Sequence, residues 1–219
     1  MTNWIFSQTD KEGTAMKKMT SLLLAATAAA GALVGCSNDE EATAGHEQWD
    51  TTAAPKNVSW SDAQTRGIKV PSSKDDGPKN TDPVPHGWAP SPQGAVMAAI
   101  NGQVYMSTAG EEVWPEVSQW MLAPGQGRDQ WAQARSLMDI DGDVKNPPQF
   151  KGFKFSEFSE SKAVVVIAAE YPQYGLMGYP VQLDRSSGDW RIVVPPQGQE
   201  PDLVEISDSQ FENFTAFEG

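Results

Sequence analysis

Cysteine and histidine are nearly absent from this chain, which has one cysteine and two histidines among its 219 residues. A single cysteine cannot form an intramolecular disulfide, and zinc sites need several cysteine or histidine ligands. Nucleophilic catalysis of the Ser-His-Asp or Cys-His kind needs a histidine held by an oriented partner. His46 lies in a polar segment and His86 lies beside a glycine. The sequence therefore indicates no hydrolytic enzyme of these classes, no metal and no cofactor.

Basic residues are also scarce. Lys and Arg number 16 against 29 Asp and Glu, and the formal net charge is −13. A surface of this charge repels nucleic acid and anionic lipid headgroups, so no nucleic-acid partner is expected, and the plain interpretation of the charge is solubility. The eight tryptophans, in contrast, predict a packed core, because large aromatic side chains bury much area per residue.

The one cysteine, Cys36, closes an apolar run. Two lysines precede residues 22–34, which contain only Leu, Ala, Thr, Gly and Val and are shorter than the roughly 20 residues of a spanning helix. The run ends in LVGC at residues 33–36, which resembles the lipobox of bacterial lipoproteins. The resemblance implies cleavage by signal peptidase II between Gly35 and Cys36, diacylglycerol and palmitate on Cys36, and a lipid-anchored position on the extracytoplasmic face of the cell membrane. The alternative is a buried cysteine beside an Ala-rich core helix.

The chain is predicted to divide into five segments. Acidic residues near the start do not fit the positive beginning of a signal peptide, so translation is interpreted as starting at Met16 or Met19. Polar residues dominate from the signal to residue 85 and cannot bury enough surface to offset their ordering entropy. The segments are an upstream mis-start at 1–15, a lipoprotein signal peptide at 16–35, a disordered membrane tether at 36–85, a domain at 86–196, and an acidic C-terminal tail with a short helix at 197–219.

Two or three helices are predicted at the start of the domain. Ser91 and Pro92 form a helix opening, because an N-cap hydroxyl precedes a proline at the first helical position. Apolar residues then recur with helical spacing to Val104. A second helix is predicted over residues 114–122 and a third around Trp131, before the pair of prolines at 147–148.

Strand patterns follow the helices. Phe153 and Phe155 alternate with polar residues, and residues 162–171 contain a run of β-branched side chains. Further strands are predicted at residues 178–184 and 190–194. Helices followed by antiparallel strands indicate an α+β fold, with two or three N-terminal helices packed on a curved antiparallel sheet of about four strands, behind the disordered tether.

This succession of elements, with the turn SGDW at residues 187–190 before the last strand, resembles the NTF2-like cone fold. Residues 87–99, GWAPSPQGAVMAA, are also similar to the opening of an uncharacterised actinobacterial domain family found among lipoproteins and proteins of conjugative elements. The resemblance covers roughly residues 87–195, and the periplasmic domains of VirB8-type conjugation proteins have the same NTF2-like architecture. It implies a fold more than a function, and the chain departs from the VirB8 type by having a lipobox in place of a spanning helix.

Tyrosines supply one candidate binding surface. Tyr171, Tyr174 and Tyr179 lie in a segment rich in aromatic residues and glycine, and tyrosines on a loop offer the large, semi-polar contact area that recognition sites use. Together with Trp190 they form a candidate binding surface. The alternative is a hairpin loop that packs over the open end of the sheet.

Phenylalanines supply a second candidate surface, near the end of the chain. Phe211, Phe214 and Phe217 recur every third residue after Ser207, which is predicted to cap a short helix. The stripe either binds a partner or packs on the parent domain, because apolar stripes on helices are usually part of a core.

Acidic residues give two further candidates. Asp139, Asp141 and Asp143 alternate as in a calcium loop, but the glycine and the bidentate glutamate of an EF-hand are missing, so a plain acidic turn is the alternative. A carboxylate buried in an apolar cone would have a raised pKa and act as a base. The candidates for such a base on the strands are Glu157, Glu170 and Asp184.

These observations predict a membrane-anchored extracytoplasmic lipoprotein that is not an enzyme. Its expected partners are the cytoplasmic membrane, through lipid on Cys36, and another protein of the cell envelope. The resemblance to domains of conjugative elements implies an accessory role in conjugation or secretion. The alternative is a small-molecule-binding or isomerase-like enzyme that uses the interior of the cone.

Overall fold

The computed structural model describes residues 49–217, which pass through eight strands and four helices. The strands are β1 (Val58–Ser61), β2 (Val70–Ser73), β3 (Gln149–Phe158), β4 (Lys162–Tyr171), β5 (Gly175–Asp184), β6 (Arg191–Ile192), β7 (Val204–Glu205) and β8 (Thr215–Ala216). The helices are α1 (Pro92–Thr108), α2 (Trp114–Trp120), α3 (Gln126–Arg135) and α4 (Asp208–Phe211).

The larger of two antiparallel sheets is built around the β4–β5 hairpin. Its order is β6-β5-β4-β3-β8, and β7 pairs with β5 outside this path. The hairpin register runs from Lys162 opposite Asp184 to Tyr171 opposite Gly175. The strand predicted at residues 162–171 is confirmed, because its β-branched run suits a pleated, half-buried surface.

Helix α1 contacts β2 of the small sheet and β4, β5 and β6 of the large sheet. It begins as predicted after Ser91, whose hydroxyl accepts the Gly94 N–H at 3.1 Å, and Pro92 occupies its first turn. Its residues are buried on nearly every side, which is the expected pattern for a helix covered by more than one layer.

The hydrophobic core joins α1, α2 and α3 to strands β3 to β6. Trp131 of α3, Phe153 of β3 and Trp190, just before β6, are almost completely buried in it. These large rings account for much of the apolar area that a domain of this size needs to bury.

The predicted fold was wrong in its arrangement of elements. The strand pair β1–β2 precedes the helices, and α4 follows the main strands. The large sheet has six strands in the described region, and not about four, because residues of the acidic C-terminal segment add β7 beside β5 and β8 beside β3. The four-stranded NTF2-like cone is therefore not the architecture of this chain.

The predicted disordered tether was also wrong for residues 49–85, which form β1 and β2 and belong to the folded domain. Ile68 and Val84 are fully buried, and Trp60 lies against Phe150 and Phe217. These apolar residues are widely spaced in the sequence, so the sequence pattern did not show that they belong to the folded domain.

Several predictions fall outside the described residues: the mis-start, the signal peptide, Cys36 and the first part of the tether. Within residues 49–217, no helix combines the length and the apolar composition that crossing a membrane requires.

Candidate functional site

A cleft of about 420 Å³ lies where the loop after β2 meets the turn between β5 and β6. We call it the basic cleft. It is lined on one side by Lys79, His86, Gly87, Trp88 and Pro90, on the other by Arg185, Ser187, Gly188, Asp189 and Arg191, and at the end of α2 by Trp120.

The first wall is a short backbone hairpin. The Lys79 N–H donates to the Gly87 carbonyl at 3.1 Å, and Asn80 and His86 exchange two backbone hydrogen bonds of 3.0 Å. Gly87 has φ = +82°, and a Cβ there would lie 3.1 Å from the Lys79 Cβ. Glycine suits this position on both counts, and the hydrogen-bonded backbone fixes the shape of the wall.

Asp189 ties the two walls together. Its Oδ2 accepts the Gly87 N–H at 2.7 Å, and its Oδ1 accepts the Trp88 and Trp190 N–H groups at 2.9 Å each. The Trp190 indole Nε1–H donates to the Ala89 carbonyl at 3.0 Å. The bonds to Gly87, Trp88 and Ala89 each join positions more than 100 residues apart, so this carboxylate organises the cleft.

His86 and Trp120 close one end of the cleft. Their rings stack with centroids 4.5 Å apart and an interplanar angle of 27°. The His86 Nδ1 lies 2.7 Å from the Val84 carbonyl oxygen. Because a carbonyl only accepts hydrogen bonds, Nδ1 is the donor, and the imidazole is held in place by this bond and by the indole face.

Three cations line the cleft: Lys79, Arg185 and Arg191. Arg185 Nη1 donates to the Glu160 carbonyl at 3.3 Å, and Arg191 Nη1 donates to the Gln119 carbonyl at 3.0 Å. None of the three forms an ion pair with a residue that the structure describes. Asp189, the one carboxylate of the lining, accepts backbone N–H groups through both oxygens, and the lining carries three positive side chains against this one negative side chain.

A family model described as a domain of unknown function (DUF8175) matches residues 25–214. The chain belongs to the DUF8175 family. The expectation of an uncharacterised domain family is confirmed, and the match includes both walls of the basic cleft. Comparison with curated proteins and with solved structures finds no match.

In this DUF8175 domain the predicted tyrosine surface is divided. Burial raises the pKa of Tyr171 and of Tyr179 to about 12, with smaller contributions from Tyr179 acting on Tyr171 and from the Glu200 carboxylate acting on Tyr179. Tyr174 is 56 % exposed and Trp190 is 1 % exposed. Trp190 follows the end of β5 and Tyr174 precedes its beginning, so the structure does not bring Trp190 together with the tyrosines.

The phenylalanine stripe contacts the DUF8175 domain itself. Phe217 lies with its ring centroid 5.5 Å from those of Phe153 and Trp60. Phe211 stacks on Phe214 at 5.7 Å, and its ring lies 3.1 Å from where a Cβ on Gly152 would be. Packing on the parent domain therefore accounts for Phe211 and Phe217, and α4 begins after Ser207, whose side chain takes part in a capping box.

The acidic loop after α3 is bound by an arginine from the loop between β1 and β2. Arg66 donates to two carbonyls of this loop and to the Thr108 carbonyl. Asp139, Asp141 and Asp143 are exposed. Among the described residues, no group of three His, Cys, Asp or Glu side chains is placed to hold a metal ion.

The three strand carboxylates lie outside the core. Glu157 is exposed, and Glu170 and Asp184 are partly exposed near the ends of β4 and β5. Phe153 and Trp190 are almost fully buried in the hydrophobic core. None of the three candidate carboxylates is therefore buried in the core.

The charged residues of the basic cleft were not predicted as a site. Lys79 lies about a hundred residues before Arg185 and Arg191, and no local pattern marks the three as one site. A usable signal was present, because the motifs at residues 87–99 and 187–190 contain the atoms that hold the two walls together.

Proposed function

We propose that this chain is a lipid-anchored extracytoplasmic binding protein that engages another protein of the cell envelope through the basic cleft, without catalysing a reaction. The observation that carries the proposal is the set of three cations, none of them in an ion pair with a described residue, beside the His86–Trp120 pair. Arginine and tryptophan are the residue types that dominate binding energy at protein interfaces. An accessory role in conjugation or secretion is the context that the motif at residues 87–99 implies.

The anchor would place the cleft close to the membrane. Trp49, the first described residue, is 13 residues after Cys36. A fully extended chain of that length spans at most about 45 Å. The partner of a chain held at Cys36 is therefore expected to be a membrane protein or a protein docked at the membrane surface.

The anchor is tested by fractionating cells that express the full chain or its Cys36→Ala variant. Diacylglycerol supplies two acyl chains, which is about what stable anchoring requires. The wild-type chain should sediment with membranes and its mature N-terminus should carry lipid in mass spectra, whereas the variant should not. An unlipidated wild-type chain that keeps residues 1–35 would refute the anchor.

The binding face is tested by site-directed photocrosslinking in whole cells. Ser187 is exposed within the basic cleft, and Ser209 is exposed on α4, near the opposite edge of the sheet. A photocrosslinking residue in place of Ser187 should give a discrete adduct with one envelope protein, and the same residue in place of Ser209 should not. Equal adducts at both positions, or none at Ser187, would contradict the proposal.

A further inference from the structure

We propose that the segment bound in the basic cleft is acidic, and that its Asp or Glu carboxylates pair with Arg185, Arg191 and Lys79. This inference rests on the proposed function and names the chemistry of the partner. It predicts selectivity for a short run of carboxylates over neutral or basic peptides.

The charge distribution favours an acidic ligand. The chain has a net charge of −13, and yet three cations line one cleft without a carboxylate partner. Arg135 shows the contrasting case, since this buried arginine is neutralised by Glu111 at 2.8 Å. A cation left without a counter-charge in a cleft attracts an anion, because the walls exclude part of the screening solvent.

The geometry of the two arginines suits a carboxylate. Each guanidinium is fixed through Nη1 to a backbone carbonyl, so little side-chain entropy remains to be lost on binding. The Nε atoms of Arg185 and Arg191 are buried and have no hydrogen-bond partner among the described residues. A ligand cannot reach these buried atoms, so an arriving carboxylate would bind through the Nη atoms. The planar guanidinium can offer it two parallel N–H···O bonds there.

The size of the cleft suits a short peptide segment. Its volume of about 420 Å³ lies toward the lower end of the roughly 300–1,000 Å³ of ligand pockets. It accommodates the side chains of a short segment and not a folded surface. The wall hairpin and Asp189 hold this space open before binding, which reduces the ordering cost.

The test uses the full mature chain in detergent and fluorescein-labelled hexaglutamate as the probe, with fluorescence anisotropy as the readout. Hexaglutamate should bind and labelled hexaglutamine should not, and binding should weaken as salt is raised. Arg185→Gln and Arg191→Gln should each weaken binding about tenfold or more, which corresponds to about 1.4 kcal/mol. Arg128→Gln is the matched control. Arg128 pairs with Asp129 on α3, so this substitution removes the same charge from a position outside the cleft.

Each contrary outcome has a defined meaning. Equal binding of hexaglutamate and hexaglutamine, or an equal loss with Arg128→Gln, overturns the inference. So does a cleft that binds inorganic phosphate but not hexaglutamate, since its ligand would then be a phosphate group. Arg191→Lys keeps the positive charge but loses the planar guanidinium, so it should retain part of the affinity. This partial affinity would show that the loss in Arg191→Gln comes from the missing ion pair and not from misfolding.

The inference and the proposed function fail in different ways. A Ser187 adduct that persists at high salt, with no hexaglutamate binding, keeps the protein partner and removes the acidic segment. Hexaglutamate binding without any Ser187 adduct keeps the anion site and removes the envelope-protein partner.

Discussion

Replacing Asp189 by alanine should lower the stability of the domain more than replacing any exposed aspartate by alanine. Its two oxygens accept three backbone N–H groups at 2.7 to 2.9 Å, and two of these come from the loop at Gly87 and Trp88. Asp189→Ala leaves these N–H groups without an acceptor. It also removes the connection between two segments that are about a hundred residues apart in the sequence.

The expected magnitude follows from the bonds that are lost. A hydrogen bond to a charged group contributes about 1.5–3 kcal/mol when it is buried, and Asp189 is partly exposed. We therefore expect Asp189→Ala to lower the free energy of unfolding by about 2–4 kcal/mol. Asp189→Asn keeps one acceptor oxygen and should cost about half as much, because its amide group cannot accept from Gly87.

The assay is urea-induced unfolding of the full chain, with the free energy taken by linear extrapolation. Asp141→Ala serves as the control, because Asp141 is exposed on the loop after α3 and should change stability by less than about 0.5 kcal/mol. An unfolding free energy for Asp189→Ala within about 0.5 kcal/mol of wild type would refute the reasoning.

Two further predictions concern packing and pH. Gly127→Ala should destabilise the domain by about 3 kcal/mol or more, because a Cβ there would lie 1.9 Å from a backbone oxygen, whereas Gly125→Ala meets nothing within 4 Å and should be nearly neutral in urea unfolding. Tyr171 and Tyr179 keep their protons to about pH 12 in the folded state; unfolded tyrosine loses its proton near pH 10, so the unfolded state binds fewer protons and stability should fall as pH rises from about 10 to 12. Tyr171→Phe should reduce the loss of stability in unfolding curves measured from about pH 10 to 12. Tyr174→Phe is the control, because Tyr174 is exposed, and it should not reduce this loss. An equal effect of both variants would contradict the attribution of the loss to the buried tyrosines.

Locally determined elements could be predicted from the sequence. The opening of α1 rests on Ser91 and Pro92, and β4 rests on its β-branched run; both signals lie within the element that they specify. The small strands could not be predicted in this way. β7 and β8 have two residues each and pair with strands already present, so their stability comes from the sheet and not from their own sequence.

The basic cleft could not be predicted for a related reason. Its walls come from residues 79–90 and 185–191, and the Asp189 bonds that join them depend on tertiary structure. The sequence instead predicted binding surfaces at the tyrosines and phenylalanines, because each of these groups is close together in the sequence. In the structure Phe217 and Trp190 pack in the interior. Lys79 meets Arg185 and Arg191 only in the tertiary structure, so the sequence did not show the three cations as one site.

The ring of Trp49, at the start of the described residues, is connected to the basic cleft through the core. Its ring packs edge-on against Phe158 with centroids 6.0 Å apart, and Phe158 lies 5.8 Å from Trp190. Trp190 in turn bonds to Asp189 and to the Ala89 carbonyl, one on each wall of the cleft. Two successive aromatic contacts therefore connect Trp49 to the residue that bridges the two walls, although Trp49 is not itself part of the cleft lining, so a substitution at Trp49 should alter the cleft from a distance.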